Sequence, residues 1–182
     1  LEKSTFFPTV PVSMSSYLRR PGSSGVIAEF KRKSPSRGWI NEIANPAEVT
    51  LGYMQSGAAG LSVLTDQEFF AGSFDDLIAA RRENYCPILQ KDFLLEEYQI
   101  IEAKSIGADA ILLIAAVLEA KEIKAMAQFA HSLKMEVIVE IHHEAELIKV
   151  PDEADIVGIN NRNLKTFEVD LENSMQLLNS LS

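Results

Sequence analysis

Short apolar runs alternate along this chain with longer segments of helical period, from near residue 25 to the end. The runs Val26–Lys31, Leu61–Thr65, Cys86–Lys91, Asp109–Ala116, Met135–Ile141 and Asp155–Asn160 have the length and bounding breakers of strands. The segment Asp109–Ala116 is nearly all apolar, as a strand covered on both faces should be. The intervening segments predict helices over residues 46–56, 74–83, 96–105, 119–133, 143–148 and 171–181. Asn45 before Pro46, Ser73 before Phe74 and Asp170 before Leu171 read as N-caps, and Gly107 as a helix stop. Ile123, Met126, Ala127 and Ala130 form the apolar stripe of the longest helix. Ahead of the first strand, residues 1–24 read as an N-terminal extension with a short helix over 13–20.

A strand followed by a helix, six times over, implies parallel strands joined by right-handed crossovers. The strand starts fall about 26 residues apart, and Gly57-Ala58 and Gly107-Ala108 are a weak echo of that repeat. Two α/β architectures are open. A doubly wound sheet with a dinucleotide site calls for a glycine-rich turn after the first strand, and Lys-Arg-Lys-Ser-Pro-Ser does not fit. A (β/α)8 TIM barrel needs eight units in about 250 residues, and this chain holds about six. No linker or low-complexity segment divides residues 1–182, so a single domain is expected.

Composition narrows the class. Hydrophobic content of 47% and charged content of 24% are ordinary for a globular chain. The net charge of −9 argues against a nucleic-acid partner, which calls for clustered Lys and Arg. Cys86 is the only cysteine, so an internal disulfide is impossible and a reducing, cytoplasmic setting is expected. No apolar run reaches the length of a membrane helix, so no membrane partner is expected, and the N-terminus lacks the pattern of a signal peptide.

Candidate chemistry gathers at the C-terminal ends of the strands. Glu29 and Lys31 lie two residues apart on the first, so a strand points both to one face. The same spacing recurs with Lys91 and Phe93, Glu140 and His142, and Asn160 and Arg162. In a barrel these ends converge on one mouth. Two carboxylates and three cations would then share a cavity, the crowding by which acid–base chemistry is set up. The basic loop Lys31-Arg32-Lys33 that follows the first strand suits a small anionic ligand. The bland alternative for that strand is an edge ending in solvated charge.

Other residues read as structural. His142 and His143 are adjacent, so a strand points them apart, and a metal site is not expected. Cys86 opens a buried strand and reads as core. Asp92 points away from Lys91. Phe69, Phe70 and Trp39 fit loop packing as well as they fit an aromatic wall for a ring-bearing substrate.

The stretches IAEFKRKSPSRGWI, LSVLTDQEFFAGS, PILQKDF, GADAILLIAA, VIVEIHHEAEL and VGINNRNLKTFEVDL resemble the indole-3-glycerol phosphate synthases of tryptophan biosynthesis, in that family's order. The resemblance implies a (β/α)8 barrel and a carbon–carbon carboxy-lyase that uses neither cofactor nor metal. Its small-molecule phosphorylated substrate is 1-(2-carboxyphenylamino)-1-deoxyribulose 5-phosphate, cyclised with loss of carbon dioxide and water. By motif, Lys91 corresponds to the general acid, Glu140 to the general base and Lys31 to a lysine that binds substrate anion and shares in proton transfer. Glu29 corresponds to a carboxylate that sets both lysines. Asn160 and Arg162 correspond to residues that position substrate, and Ser34 and Pro35 to a mobile first loop. Phe70, Phe93 and Leu113 would line the pocket for the aryl ring.

The resemblance also implies a shortfall. The family continues with a strand bearing another glutamate, a serine and a glycine, and then a glycine-rich phosphate-binding loop. Neither follows here, so about two units are expected to be absent and activity impaired. Two alternatives stand beside this reading. One is a non-catalytic incomplete barrel that self-associates through open sheet edges or binds a partner, and the other is a different phosphosugar barrel enzyme.

Overall fold

The computed structural model describes residues 1, 3–161 and 171–180. Its main sheet contains β1 (Ile27–Phe30), β4 (Gly60–Leu64), β5 (Ile88–Lys91), β6 (Ala110–Ile114), β7 (Glu136–Ile141) and β8 (Ile156–Ile159), all paired parallel and in chain order. The sheet curls through 207°, a little over half of a barrel. Among the described residues, β1 and β8 each have one neighbour. The expected α/β barrel type, with about six of its units, is therefore the observed architecture.

Helices α2 (Pro46–Gln55), α3 (Phe74–Glu83), α4 (Glu97–Ile106) and α5 (Ala120–Ser132) form the crossovers, and α6 (Leu171–Ser180) follows β8. Their ends obey local chemistry. The Asn45 side chain accepts from the Ala47 amide at 3.0 Å, and the Ser73 hydroxyl from the Asp76 amide at 3.2 Å. Gly57 and Gly107 follow α2 and α4 in the left-handed region at φ +95°, which a side chain would resist. The segment after β7, expected as a short helix, is a 3-10 helix over Glu144–Lys149. The predicted cap Asp170 lies outside the described residues.

Each strand serves two cores because successive side chains face opposite ways. The outward set, including Leu61, Val63, Ile88, Ile111, Leu113, Val137 and Val139, is buried with Leu77, Ile100 and Ile123 of the helices. The inward set is smaller: Leu89, Ala110, Leu112, Ile114 and Ile138, with Ile27 and Ile156 beside them. The extension closes the inward core from below. Helix α1 (Met14–Arg19) places Met14 there at 0% exposure, with Leu18 packed beside it.

Two carboxylates tie the extension to the sheet. Glu136 accepts from the Ser13 and Ser15 hydroxyls at 2.6 and 2.7 Å and from the Ser15 amide at 2.9 Å. Asp109 accepts from the Val12 and Ile88 amides, both at 2.8 Å, and pairs with Arg81 at 2.5 Å. Burial pushes the Asp109 carboxyl above the usual carboxylate range, and Arg81 and the two amides pull against that. Cys86 is buried in the outer core as read from sequence, and burial raises its thiol above the ordinary value. Among the described residues no helix is long and apolar enough to cross a membrane.

Asp109 thus joins three elements through one buried group. Asp109→Ala strands Arg81 and two amides, and urea denaturation should show a loss of about 3 kcal/mol. An unchanged midpoint would refute that role.

Candidate active site

The inward faces carry the charge. Glu29, Lys91 and Glu140 stand two residues beyond the inward apolar residues Ile27, Leu89 and Ile138, and so rise toward the C-terminal mouth on the same face. Lys91 Nζ lies 3.2 Å from Glu140 Oε2 and 3.8 Å from Glu29 Oε2. Lys31 Nζ binds the other oxygen of Glu29 at 2.5 Å. Asn160, just past β8, donates its amide to Glu140 Oε1 at 3.1 Å. Five residues named from strand-end spacing therefore form one connected cluster.

Solvent access differs across it. The side chains of Glu29 and Lys91 are 29% exposed and that of Lys31 is 35% exposed, whereas Glu140 is 11% exposed. A half-open lysine held between two carboxylates can give a proton to a bound molecule and still be recharged from solvent. Glu140, deeper and held at both oxygens, is oriented as well as charged.

His142 is the sixth member, 3% exposed, with Nε2 3.5 Å from Glu140 Oε1. Its backbone amide donates to Glu146 Oε2 at 2.7 Å. Sequence spacing placed it on the Glu140 face.

The loop after β1 departs from the sequence reading in two ways. It contains a small antiparallel hairpin, β2 (Lys33–Ser34) with β3 (Gly38–Trp39). Ser34 is buried in it, whereas Pro35 is exposed at the turn. The basic triplet is also split. Arg32 turns away from Lys31 and makes a bidentate pair with Asp76 of α3, one arm at 2.9 Å and the other shorter. Its Nε donates to the Ala44 carbonyl at 3.2 Å. Arg32 is thus a structural cation, and Lys33 lies over the Trp39 ring, 6.0 Å from its centroid.

The aromatic assignments sort by position. Phe93 is exposed and meets Phe69 edge-on at 6.2 Å, so Phe69, which the sequence left between two readings, borders the mouth loop with Phe93. Phe70 is partly buried in the same loop. Leu113 is a correction: it is fully buried on the helix side of β6 with Ile111. The inward residues of β6 are Leu112 and Ile114, one position to either side. Asp92 faces away from Lys91 as expected and accepts from the Thr65 hydroxyl. Arg162 lies outside the described residues. Among those described, no group of three or more His, Cys, Asp or Glu is placed to hold a metal ion.

Fold and site together define a protein of the βα-barrel class with a lysine–carboxylate cluster at the C-terminal ends of its strands. Among solved structures, a mandelate oxidase mutant with (S)-mandelic acid superimposes with a TM-score of 0.53 at 14% identity, over 81% of this chain and 52% of that one. At that identity the likeness speaks for the fold alone. The indole-3-glycerol phosphate synthase family model matches residues 3–182. The indole-3-glycerol phosphate synthase of Bacteroides thetaiotaomicron is 50% identical over 158 residues, covering 87% of this chain and 61% of that protein. That of a Polaromonas species is 50% identical over 158 residues, covering 86% and 60%. The chain belongs to the indole-3-glycerol phosphate synthase family and spans about three-fifths of the length of these curated relatives.

The Arg32–Asp76 pair pins the base of the hairpin to α3, leaving the exposed Arg37 near its tip. Asp76→Ala should speed tryptic cleavage at Arg37 under native conditions, by about tenfold if local opening is eased by roughly 1.4 kcal/mol. Equal cleavage rates would show that the pair does not restrain the loop.

Proposed function

We propose that this chain carries the acid–base half of an indole-3-glycerol phosphate synthase site. The observation that carries the reading is Lys91 Nζ held 3.2 Å from Glu140 and 3.8 Å from Glu29, with Lys31 on the far oxygen of Glu29. On this reading the substrate is 1-(2-carboxyphenylamino)-1-deoxyribulose 5-phosphate.

Lys91 protonates the ribulose carbonyl oxygen while the ring carbon bearing the carboxylate bonds to the carbonyl carbon. Carbon dioxide then leaves that ring carbon, and its bonding pair restores the aromatic ring. The new hydroxyl departs as water after protonation by a lysine ammonium. Glu140 takes the proton from the neighbouring carbon, the former C1, whose bonding pair becomes the second carbon–carbon bond of the indole. Atoms balance as one carbon dioxide and one water lost.

Glu29 sets the two lysines, Lys31 holds the substrate carboxylate, and Asn160 keeps Glu140 aligned. Ser34 and Pro35 of the hairpin close over the ring, with Phe70 and Phe93 against its faces. Leu112 and Ile114, which face inward, replace Leu113 as the apolar floor. Arg162 supports the anionic end. The six-unit sheet supports a further proposal, that the 182-residue chain alone turns over poorly.

The test is indole fluorescence on addition of substrate to a family-length protein bearing this chain. Lys91→Ala and Glu140→Gln should each lower kcat/KM by at least about 100-fold, with cooperative melting retained. The isolated chain should be slower still. Unimpaired turnover in either variant would remove that residue from its role, and normal turnover by the isolated chain would refute the need for further strands.

A further inference from the structure

Glu140 is gripped unequally. Its Oε2 faces Lys91, the proton donor of the proposed reaction, at 3.2 Å. Its Oε1 accepts from the Asn160 amide at 3.1 Å, and His142 Nε2 stands 3.5 Å from it, an electrostatic contact longer than a formed hydrogen bond. Behind His142 stands a second carboxylate: Glu146 Oε2 lies 3.7 Å from Nδ1 and accepts the His142 backbone N–H at 2.7 Å. The imidazole is 3% exposed and the Glu146 side chain 14% exposed, so the line from Glu140 to Glu146 runs almost wholly inside the protein. Glu146 stands in the 3-10 turn directly after β7, so one short piece of backbone carries all three groups.

We infer that Glu146, His142 and Glu140 form a carboxylate–imidazole–carboxylate chain in which His142 is a positioning residue for Glu140. The physical case is one of orientation. A carboxylate that pivots about its last bond swings its oxygens by more than an ångström, and misplacement on that scale costs a reaction heavily. Asn160 constrains Oε1 from the β8 side. His142 adds a second constraint from the chain just past β7, on the oxygen opposite the one that faces Lys91. Glu146 stands behind the imidazole at electrostatic distance and favours the ring orientation that turns Nδ1 toward it and Nε2 toward Glu140, the arrangement that a closer carboxylate enforces by hydrogen bond elsewhere. This deepens the proposed function, since it assigns a purpose to a buried histidine that the reaction itself does not touch.

Two measurements separate this inference from the reading on which it rests. The first needs no turnover. In the 182-residue chain labelled with 15N-histidine, Glu140→Gln and Glu146→Gln should each displace the His142 ring resonances. Those of His131, which faces Asp155 at 2.9 Å, should stay in place. Unmoved His142 resonances in either variant would break the chain at that link, whatever the protein's activity. The second is kinetic, in a family-length protein. His142→Phe should lower kcat about tenfold with KM changed less than about twofold, and His142→Gln, which keeps a donor toward Oε1, should recover most of that loss. A change in KM alone, or equal loss in Phe and Gln variants, would overturn the positioning role. If the wild-type protein makes no indole product, the proposed function falls and the resonance test still decides the chain.

Discussion

Everything in this structure depends on the two-residue period of its parallel strands. Outward positions must be apolar along most of their length because α2 to α5 lie on them. Inward positions have a different boundary at each end. Near the extension, Met14 seals them and they are apolar except for Glu136, which Ser13 and Ser15 hold. One period further along, the same face opens to solvent and can hold charge, and Glu29, Lys91 and Glu140 stand there. A slip of one residue in β5 would send Lys91 into the helix-side core, where an unpaired ammonium costs far more than any gain in pairing. The requirement for a packed outer core therefore also aims the chemistry.

The two ends of the sheet treat charge differently. At the closed end, Asp109 and Glu136 accept from backbone amides, hydroxyls and Arg81, all within normal hydrogen-bond lengths, and their work is to hold elements together. At the mouth, Lys91 stands 3.2 Å from Glu140 and 3.8 Å from Glu29, and the closer Lys31–Glu29 pair is about a third exposed. Looser pairs near solvent can be rearranged by an incoming molecule at small cost, which tightly buried ones cannot. The same residue types thus build a clamp at one end and a working site at the other.

Much of this was legible in the sequence because charge breaks the apolar pattern. Glu29, Lys91 and Glu140 interrupt apolar runs, so their positions mark both the strand ends and the phase of the inward face. Where the pattern is unbroken, the phase is lost. Ala110 to Ile114 is apolar at every position, since both faces of β6 are covered, and nothing local separates Leu112 from Leu113. The hairpin was illegible for another reason. Strands of two residues around Pro35 are too short to show a period, and breaker residues read as loop whether or not they pair. Arg32 was misread because its partner, Asp76, is 44 residues away and enters only with the crossover helix.

The split between Lys31 and Arg32 has a consequence for ligand charge. Adjacent residues on an extended strand face opposite ways, so the basic triplet sends a single cation, Lys31, into the cluster, and Arg32 is neutralised by Asp76. Among the described residues the mouth therefore sets two lysines against two glutamates, with no surplus of positive charge. A substrate bearing both a carboxylate and a phosphate needs such a surplus, because each anion leaves water at a large cost unless it is paired. In a balanced cluster each lysine is already paired with a carboxylate, so neither is a spare cation for a second anion. The described mouth is therefore arranged for pairing within the cluster more than for supplying surplus cation to a ligand with two anions.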